Sequence, residues 1–586
     1  MKKQTSRRFV SLLTGSVFLV SLGACAGTGS GAGSETLPFS FQDDGGIADP
    51  YPSSFAGQYL AGRQAFREKN SEEAAKYFDQ VLEQYPEDGF ILQNTFQVAL
   101  ANGDMEKALL LARDITAQNA NDDGAARLIL AIDEIRSRNF LKASEHLSKT
   151  RAAGFNILIR PVLGAWVKLG QGQKEEAYKA LDELDNYDGF KALKSYHLAL
   201  LAHVSGDREE AQKQFEAAYS GPAGRAVRFV QSYGRFLMEQ SDKEAALKII
   251  SDYQKRFPLS PTANRLLEDL TKNNNVEPVL NNPIDGAAEA LYSSATIVSQ
   301  ERVRSVAATY AYFSLMLRPD LVEAKALLAE IAEDEQKWEK ALSYYQAIPE
   351  GSPYTLNARI RSAWIAHRLG ETDRAVSRLE RLAKDNPDNI EPLVVLADLN
   401  RDVKNWRRAA SAYGRAIDNI GEAKSRLWSL LYARGIAFER LNEWNNAEAD
   451  LVKALELRPD HPQILNYLGY SWADRGENLE EARKMLTKAV SLRPRDGYIV
   501  DSLGWLYYRI GDYENAALQL EKAVALQPED PTINDHLGDA YWQVGRYKEA
   551  RYQWQRSLWL DPEEKLIPII EDKLKNGLPK GNGTSQ

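Results

Sequence analysis

Leu503-Gly504-Trp505-Leu506-Tyr507-Tyr508-Arg509-Ile510-Gly511-Asp512-Tyr513-Glu514-Asn515-Ala516 is answered 34 residues later by Leu537-Gly538-Asp539-Ala540-Tyr541-Trp542-Gln543-Val544-Gly545-Arg546-Tyr547-Lys548-Glu549-Ala550. Leu, Gly, Tyr, Gly, Tyr and Ala recur at the same offsets. The apolar residues fall at helical spacing on both sides of Gly511, which reads as two helices joined by a turn. Gly511 can take the left-handed conformation that ends the first helix, and Asp512 can cap the second. Gly504 and Ala516 leave no bulk where the helices cross, and Leu520, Ala523 and Trp554 fill the surrounding space. Pro528 and Pro562 close the second helix of each unit.

Outward from this pair, the alanine recurs as Ala74, Ala108, Ala143, Ala177, Ala211, Ala245, Ala307, Ala341, Ala375, Ala409, Ala447, Ala482, Ala516 and Ala550, mostly 34 residues apart. That is the period of the tetratricopeptide repeat (TPR), a helix-turn-helix unit. The expected fold is therefore an all-α TPR solenoid of about fourteen units. Gly103-Asp104 and Gly206-Asp207 repeat the turn, and Pro86, Pro319, Pro387, Pro459 and Pro494 repeat the stop. The step from Ala245 to Ala307 is too long, and it contains Asn-rich and Pro-rich linker sequence. Two superhelical blocks are expected, 55–270 and 284–563, with a break at 271–283. The four extra residues between Ala409 and Ala447 read as a loop insertion around Gly421. Residues 564–586 read as a capping helix and a polar tail. Trp338, Trp406, Trp444, Tyr513 and Tyr547, at position 17 of their units, are expected in the core.

Residues 1–24 carry Lys2, Lys3, Arg7 and Arg8, then an apolar stretch too short and interrupted for a membrane span of about 20 residues. They read as a signal peptide. The stretch ends in Leu22-Gly23-Ala24-Cys25, which resembles the lipobox of bacterial lipoproteins, and Cys25 is the single cysteine in the chain. Lipidation of Cys25 is the expected modification, and the Gly- and Ser-rich segment 25–54 is expected to be a flexible tether. By resemblance to Gram-negative lipoprotein sorting, Ala26 implies the outer membrane, with the protein on its periplasmic face. Ser6-Arg7-Arg8 leaves the export route, general or twin-arginine, open.

The chain has 586 residues and a formal charge of -9, with 44 % hydrophobic and 26 % charged residues, a composition that folds. Its acidic balance and the lack of a basic stripe argue against nucleic acid as partner. The six histidines have no metal-ligand spacing. Gly27-Thr-Gly29-Ser-Gly31 follows no strand and opens no helix, so it is not a phosphate loop. No catalytic constellation is found: the chain reads as a non-enzyme without cofactor, metal or small-molecule substrate.

A repeat array binds along its first helices, whose positions 2, 5, 9 and 12 share one face. Near the C-terminus these positions give Gln463, Asn466 and Tyr470; Tyr498, Asp501, Trp505 and Tyr508; and Thr532, Asp535, Asp539 and Trp542. The expected groove is aromatic and acidic, suited to an extended peptide or protein partner.

Leu468-Gly-Tyr-Ser-Trp-Ala-Asp-Arg-Gly, Ile499-Val-Asp-Ser-Leu-Gly-Trp-Leu-Tyr-Tyr-Arg-Ile-Gly and His536-Leu-Gly-Asp-Ala-Tyr-Trp are similar to the C-terminal signature of proteobacterial TPR outer-membrane lipoproteins. One member type is the adaptor of a periplasmic carboxyl-terminal processing protease. The resemblance implies a membrane-tethered scaffold that brings cell-wall hydrolases to such a protease. The alternative is an assembly factor, pilotin-like, for a pilus, secretion system or outer-membrane barrel complex.

Overall fold

The computed structural model describes residues 54–578 apart from 119–123, 151–155, 222–225, 258–259, 273–278 and 302. The signal segment, Cys25 and nearly all of the tether lie outside the described residues. Among the described residues there are thirty α-helices and no strand, which matches fourteen two-helix units, one unpaired helix (Pro261–Lys272) and one closing helix (Ile567–Asn576).

One local rule recurs in several units. An Asp or Asn at the turn accepts the backbone N–H three residues on: Asn70 from Glu73, Asp104 from Lys107, Asp207 from Glu210, Asn405 from Arg408 and Asp512 from Asn515. This caps the second, or B, helix. The next residue, Ala74, Ala108, Ala211, Ala409 or Ala516, is then fully buried against the first, or A, helix. Asp242 accepts from Ala245, so the rule places Ala246 in the crossing, and Ala246 is fully buried while Ala245 is only partly so. The alanine expected at 245 is thus corrected to 246: two adjacent alanines were equivalent by type, and the cap chose between them.

The residue before the cap is left-handed, at φ +76° in Gly103, +77° in Gly206 and +83° in Gly511. It is also left-handed where the sequence offers no glycine: Lys69, Arg138, Ser241, Gln336, Lys404 and Asn442 all have positive φ. That conformation costs about 1–2 kcal/mol for a residue with a Cβ, and the cap plus the helix crossing it permits offset the cost. The insertion between Ala409 and Ala447 forms a 3-10 turn, Gly421–Arg426. The position-17 aromatics are a correction: Trp338, Trp406, Trp444 and Tyr513 are half-buried and Tyr547 is exposed. They lie at the edge of the crossing, where Arg368 covers Trp338 and Arg475 covers Trp444 at 5.6 and 4.9 Å.

The chain divides into two compact units, Met1–Leu369 and Gly370–Gln586. This division does not coincide with the expected break at 271–283, which falls inside the first unit. There the helix Pro283–Gln300, capped by Asn282, packs back on the A helices Asn156–Gly170 and Lys191–Val204, while Arg304–Leu317 packs on Gly124–Arg136. Gly286 permits this approach, since a Cβ there would come within 2.2 Å of the Trp166 ring.

A polar seal joins the same helices. Trp166 Nε1 donates to His197 Nδ1 at 3.2 Å, and His197 Nε2 meets Ser293 Oγ at 3.0 Å. Tyr196 donates to Glu289 at 3.0 Å, and Arg228 reaches Glu289 at 2.8 Å and Glu323 at 2.5 Å. Burial pushes the Glu289 carboxyl up, but the charge and hydrogen bonds of Arg228, with His197 and the Tyr196 hydroxyl, together outweigh it and the net shift is down. The A-helix face of the first unit is therefore filled by the unit itself.

Candidate functional site

In the second unit the A helices Pro462–Arg475, Gly497–Arg509 and Pro531–Gln543 carry all eleven groove residues expected from the sequence. Within the unit the first two of these helices pack only on their neighbours in the array, and no inserted helix crosses them.

The structure brings the aromatics together. Trp505 stacks on Tyr508 at 4.9 Å and 11°, and on its other side His536 stacks on Trp505 at 4.1 Å and 17°. Trp505 Nε1 donates to Asp474 at 3.2 Å, which fixes the indole plane. The result is a platform of three rings spanning two repeats. Tyr470 is half-buried, and burial together with the charges of Asp474 and Asp501 pushes its hydroxyl pKa up, so it remains a donor. Gln463 and Asn466, one helical turn apart, each bury a side-chain oxygen with no hydrogen-bond partner. Tyr498 and Thr532 are exposed at the N-terminal ends of their helices.

The acidic residues behave differently from the aromatics. Asp501 is 7 % exposed and pairs with His536 Nδ1 at 3.0 Å. Burial pulls the imidazole pKa down, but the charge and hydrogen bond of Asp501, with the charges of Asp535 and Asp539, together hold the ring above its ordinary value. Asp535 and Asp539, 8 % and 5 % exposed, are bridged by Lys573 of the closing helix at 2.8–2.9 Å. Asp539 also accepts from Trp554 Nε1 at 2.8 Å, and burial, with Asp535 beside it, pushes its pKa up to about 6. Trp542 donates through Nε1 to the Leu578 carbonyl at 2.7 Å. Tyr470, Trp505 and Tyr508 are thus half-buried in the groove, His536 is buried against Trp505, and the acidic part is occupied by the chain's own residues.

Sequence reasoning missed His536 and Lys573. His536 had a usable signal, since it sits 35 residues after Asp501, one repeat further on. Lys573 had only its place on an amphipathic segment. Among the described residues no group of His, Cys, Asp and Glu is arranged to hold a metal ion.

Comparisons with known proteins find the repeat. Family models described as TPR repeat and tetratricopeptide repeat match residues 504–545, 432–497, 56–88 and 358–389. The chain is a TPR solenoid. A TPR repeat-containing protein of Pseudomonas aeruginosa is 29 % identical over 194 residues, covering 32 % of this chain and 31 % of that protein. The general transcriptional corepressor ssn6 of Schizosaccharomyces pombe is 25 % identical over 138 residues, 23 % of this chain and 12 % of the relative. The chain therefore spans under a third of the length of either relative. Among solved structures, the APC/C hetero-tetramer Cut9-Hcn1 aligns over 90 % of this chain and 97 % of its own, at 16 % identity and a TM-score of 0.37. Yeast Tom70 aligns over 89 % and 95 %, at 16 % identity and a TM-score of 0.32.

Proposed function

We propose that this protein is a scaffold that holds partner proteins, with the groove of the second unit as a receptor for an extended segment of a partner. The observation that carries this reading is the ring platform of His536, Trp505 and Tyr508 on A helices that no inserted helix of the unit covers. Stacked aromatics give a partner large contact area at small cost in side-chain freedom.

The lipobox-like Leu22-Gly23-Ala24-Cys25 supports a lipid anchor, and the C-terminal motifs support an outer-membrane adaptor that presents cell-wall hydrolases to a carboxyl-terminal processing protease. The test is affinity capture with the intact lipoprotein, beside Trp505→Ala and Tyr508→Ala variants, with mass analysis of Cys25. Recovery of the protease and hydrolases, lost in the variants, is the expected result. Recovery of secretin or barrel components points to the assembly role instead, and an unmodified Cys25 removes the anchor.

A further inference from the structure

The acidic end of the groove already holds something, and what it holds describes what it selects. Lys573 enters between Asp535 and Asp539 with all three side chains nearly buried, at 11, 12 and 7 % exposure. Beyond it the chain makes a turn at Gly577, φ +72°, where a Cβ would lie 2.0 Å from the Trp542 ring. The indole N–H of Trp542 then takes the Leu578 carbonyl. A cation between two carboxylates, a close glycine against an indole, and a backbone carbonyl on its N–H together form a peptide-recognition set.

The element that supplies this set is one short helix at the end of the array. The helix Ile567–Asn576 has ten residues, packs chiefly on the preceding helix Tyr547–Trp559, and buries Ile570 with Leu566, Leu574 and Leu578 at its edges. A helix this short does not persist alone. Its departure uncovers the contacts of Ile570, Leu574 and Leu578 with the last hairpin and leaves Asp535 and Asp539 without a cation. Two adjacent carboxylates repel each other once the cation between them is gone, so a segment that brings its own cation is the one suited to take the helix's place.

We propose that the closing helix is a displaceable stand-in for a partner segment: it occupies the acidic end of the groove through Lys573, Gly577 and Leu578, and it yields to a partner that offers a lysine or arginine followed by a backbone carbonyl for Trp542. This rests on the receptor reading of the second unit and deepens it, because the ring platform and the latched acidic end lie on consecutive A helices. A partner that engages the platform is then admitted to the acidic end only if it carries the cation.

The test uses the full chain, a Lys573→Ala variant and a Gly577→Val variant, which pushes the last turn away while keeping every charge. The probe is a labelled peptide spanning residues 563–578, compared with the same peptide bearing methionine in place of lysine at position 573. Fluorescence anisotropy reads binding, and hydrogen exchange on the helix Ile567–Asn576 reads release. The expected result is at least tenfold tighter binding of the lysine peptide to either variant than to the intact chain. The methionine peptide is expected to bind each variant at least tenfold more weakly.

Equal binding of the two peptides overturns the proposal. So does full exchange protection of the helix in both variants, or no binding by a variant whose helix is released. Sedimentation showing that intact chains pair through this helix replaces the outside partner by a second copy and overturns it also. Capture of partners lost in Trp505→Ala while peptide exchange is unaltered would leave the receptor reading and the latch both standing. Capture indifferent to Trp505, with peptide exchange intact, would fail the receptor reading alone.

Discussion

The two units use the same hairpin and finish it in opposite ways. In the first, the A-helix face is filled by Pro283–Gln300 and sealed by buried ion pairs, so the repeats enclose a core. In the second, the A helices from 462 to 509 pack chiefly on their neighbours, and among the described residues a ten-residue helix is seated at the end of the groove. A repeat supplies a face. What covers the face, an inserted helix held by charge or a short one open to exchange, decides between structure and reception.

Removing the seal should break this contrast most visibly. Glu289→Ala leaves Arg228 buried with half its partners, and should cost the first unit about 3–5 kcal/mol. Urea unfolding followed by hydrogen exchange should show early loss of protection in Pro283–Gln300 and Asn156–Gly170, with Gly497–Arg509 unchanged. Equal loss in both units would mean that the seal does not belong to the first unit alone.

Acid should act with opposite sign on the surroundings of His197 and of His536. Burial lowers His197 to about 4 from its ordinary 6.5, so the unfolded first unit binds this proton more readily. The contribution is present above pH 6.5 and is lost as pH falls from 6.5 towards 4. In the second unit His536 is raised above 6.5 and Asp539 is raised to about 6 from 3.8. Both protons bind the folded state better: the His536 contribution is full below pH 6.5 and is lost as pH rises through its higher folded value. The Asp539 contribution is full below pH 3.8 and is lost as pH rises towards 6. Between pH 8 and 5.5 protection should rise around His536 and fall around His197, by exchange measured segment by segment. His536→Gln should flatten the first trend and His197→Gln the second.

Trp505→Ala removes two stacked contacts, each worth about 0.5–1.5 kcal/mol, and should weaken partner capture about tenfold while thermal unfolding of the first unit is unaltered. The smallest effect sharpens the comparison from the side of the shared hairpin. Arg138→Gly in one unit and Lys404→Gly in the other should each stabilise by about 0.5–1 kcal/mol, because glycine takes the left-handed turn without strain. Denaturant midpoints of the two variants should shift by similar amounts.

The repeat was legible because its determinants are local and small. Ala516, Gly504 and Asp512 are fixed by the crossing and the cap, and their spacing survives in the linear chain. The groove positions were legible for the same reason, since helical spacing alone puts Trp505 and Tyr508 on one face. Their state was not. Whether Asp535 and Asp539 are free depends on Lys573, which lies 38 and 34 residues later, and helical periodicity is silent about such a partner.

The filled face of the first unit was hidden by greater separation, since Tyr196 and Glu289 are 93 residues apart. One sign was available: Gly286-Ala287-Ala288-Glu289-Ala290-Leu291 is buried on every side, and a helix apolar all round is one that other helices enclose. The position-17 aromatics differ from the expectation because their indoles and phenols lie over the edge of the crossing, where an arginine from the next unit covers Trp338 and Trp444 and a neighbouring ring meets Tyr513 and Tyr547.

The turn that caps each B helix has a consequence for how such an array tolerates change. Asp242 seats Ala246 after a step of 35 residues, and the extra residues at Gly421–Arg426 still leave Ala447 fully buried. Counting restarts at every cap, so a slip of phase in one connection dies out within the next hairpin. Insertions can accumulate between hairpins while each keeps its own register, and the chain can lengthen or acquire a new element without rewriting the hairpins downstream of it.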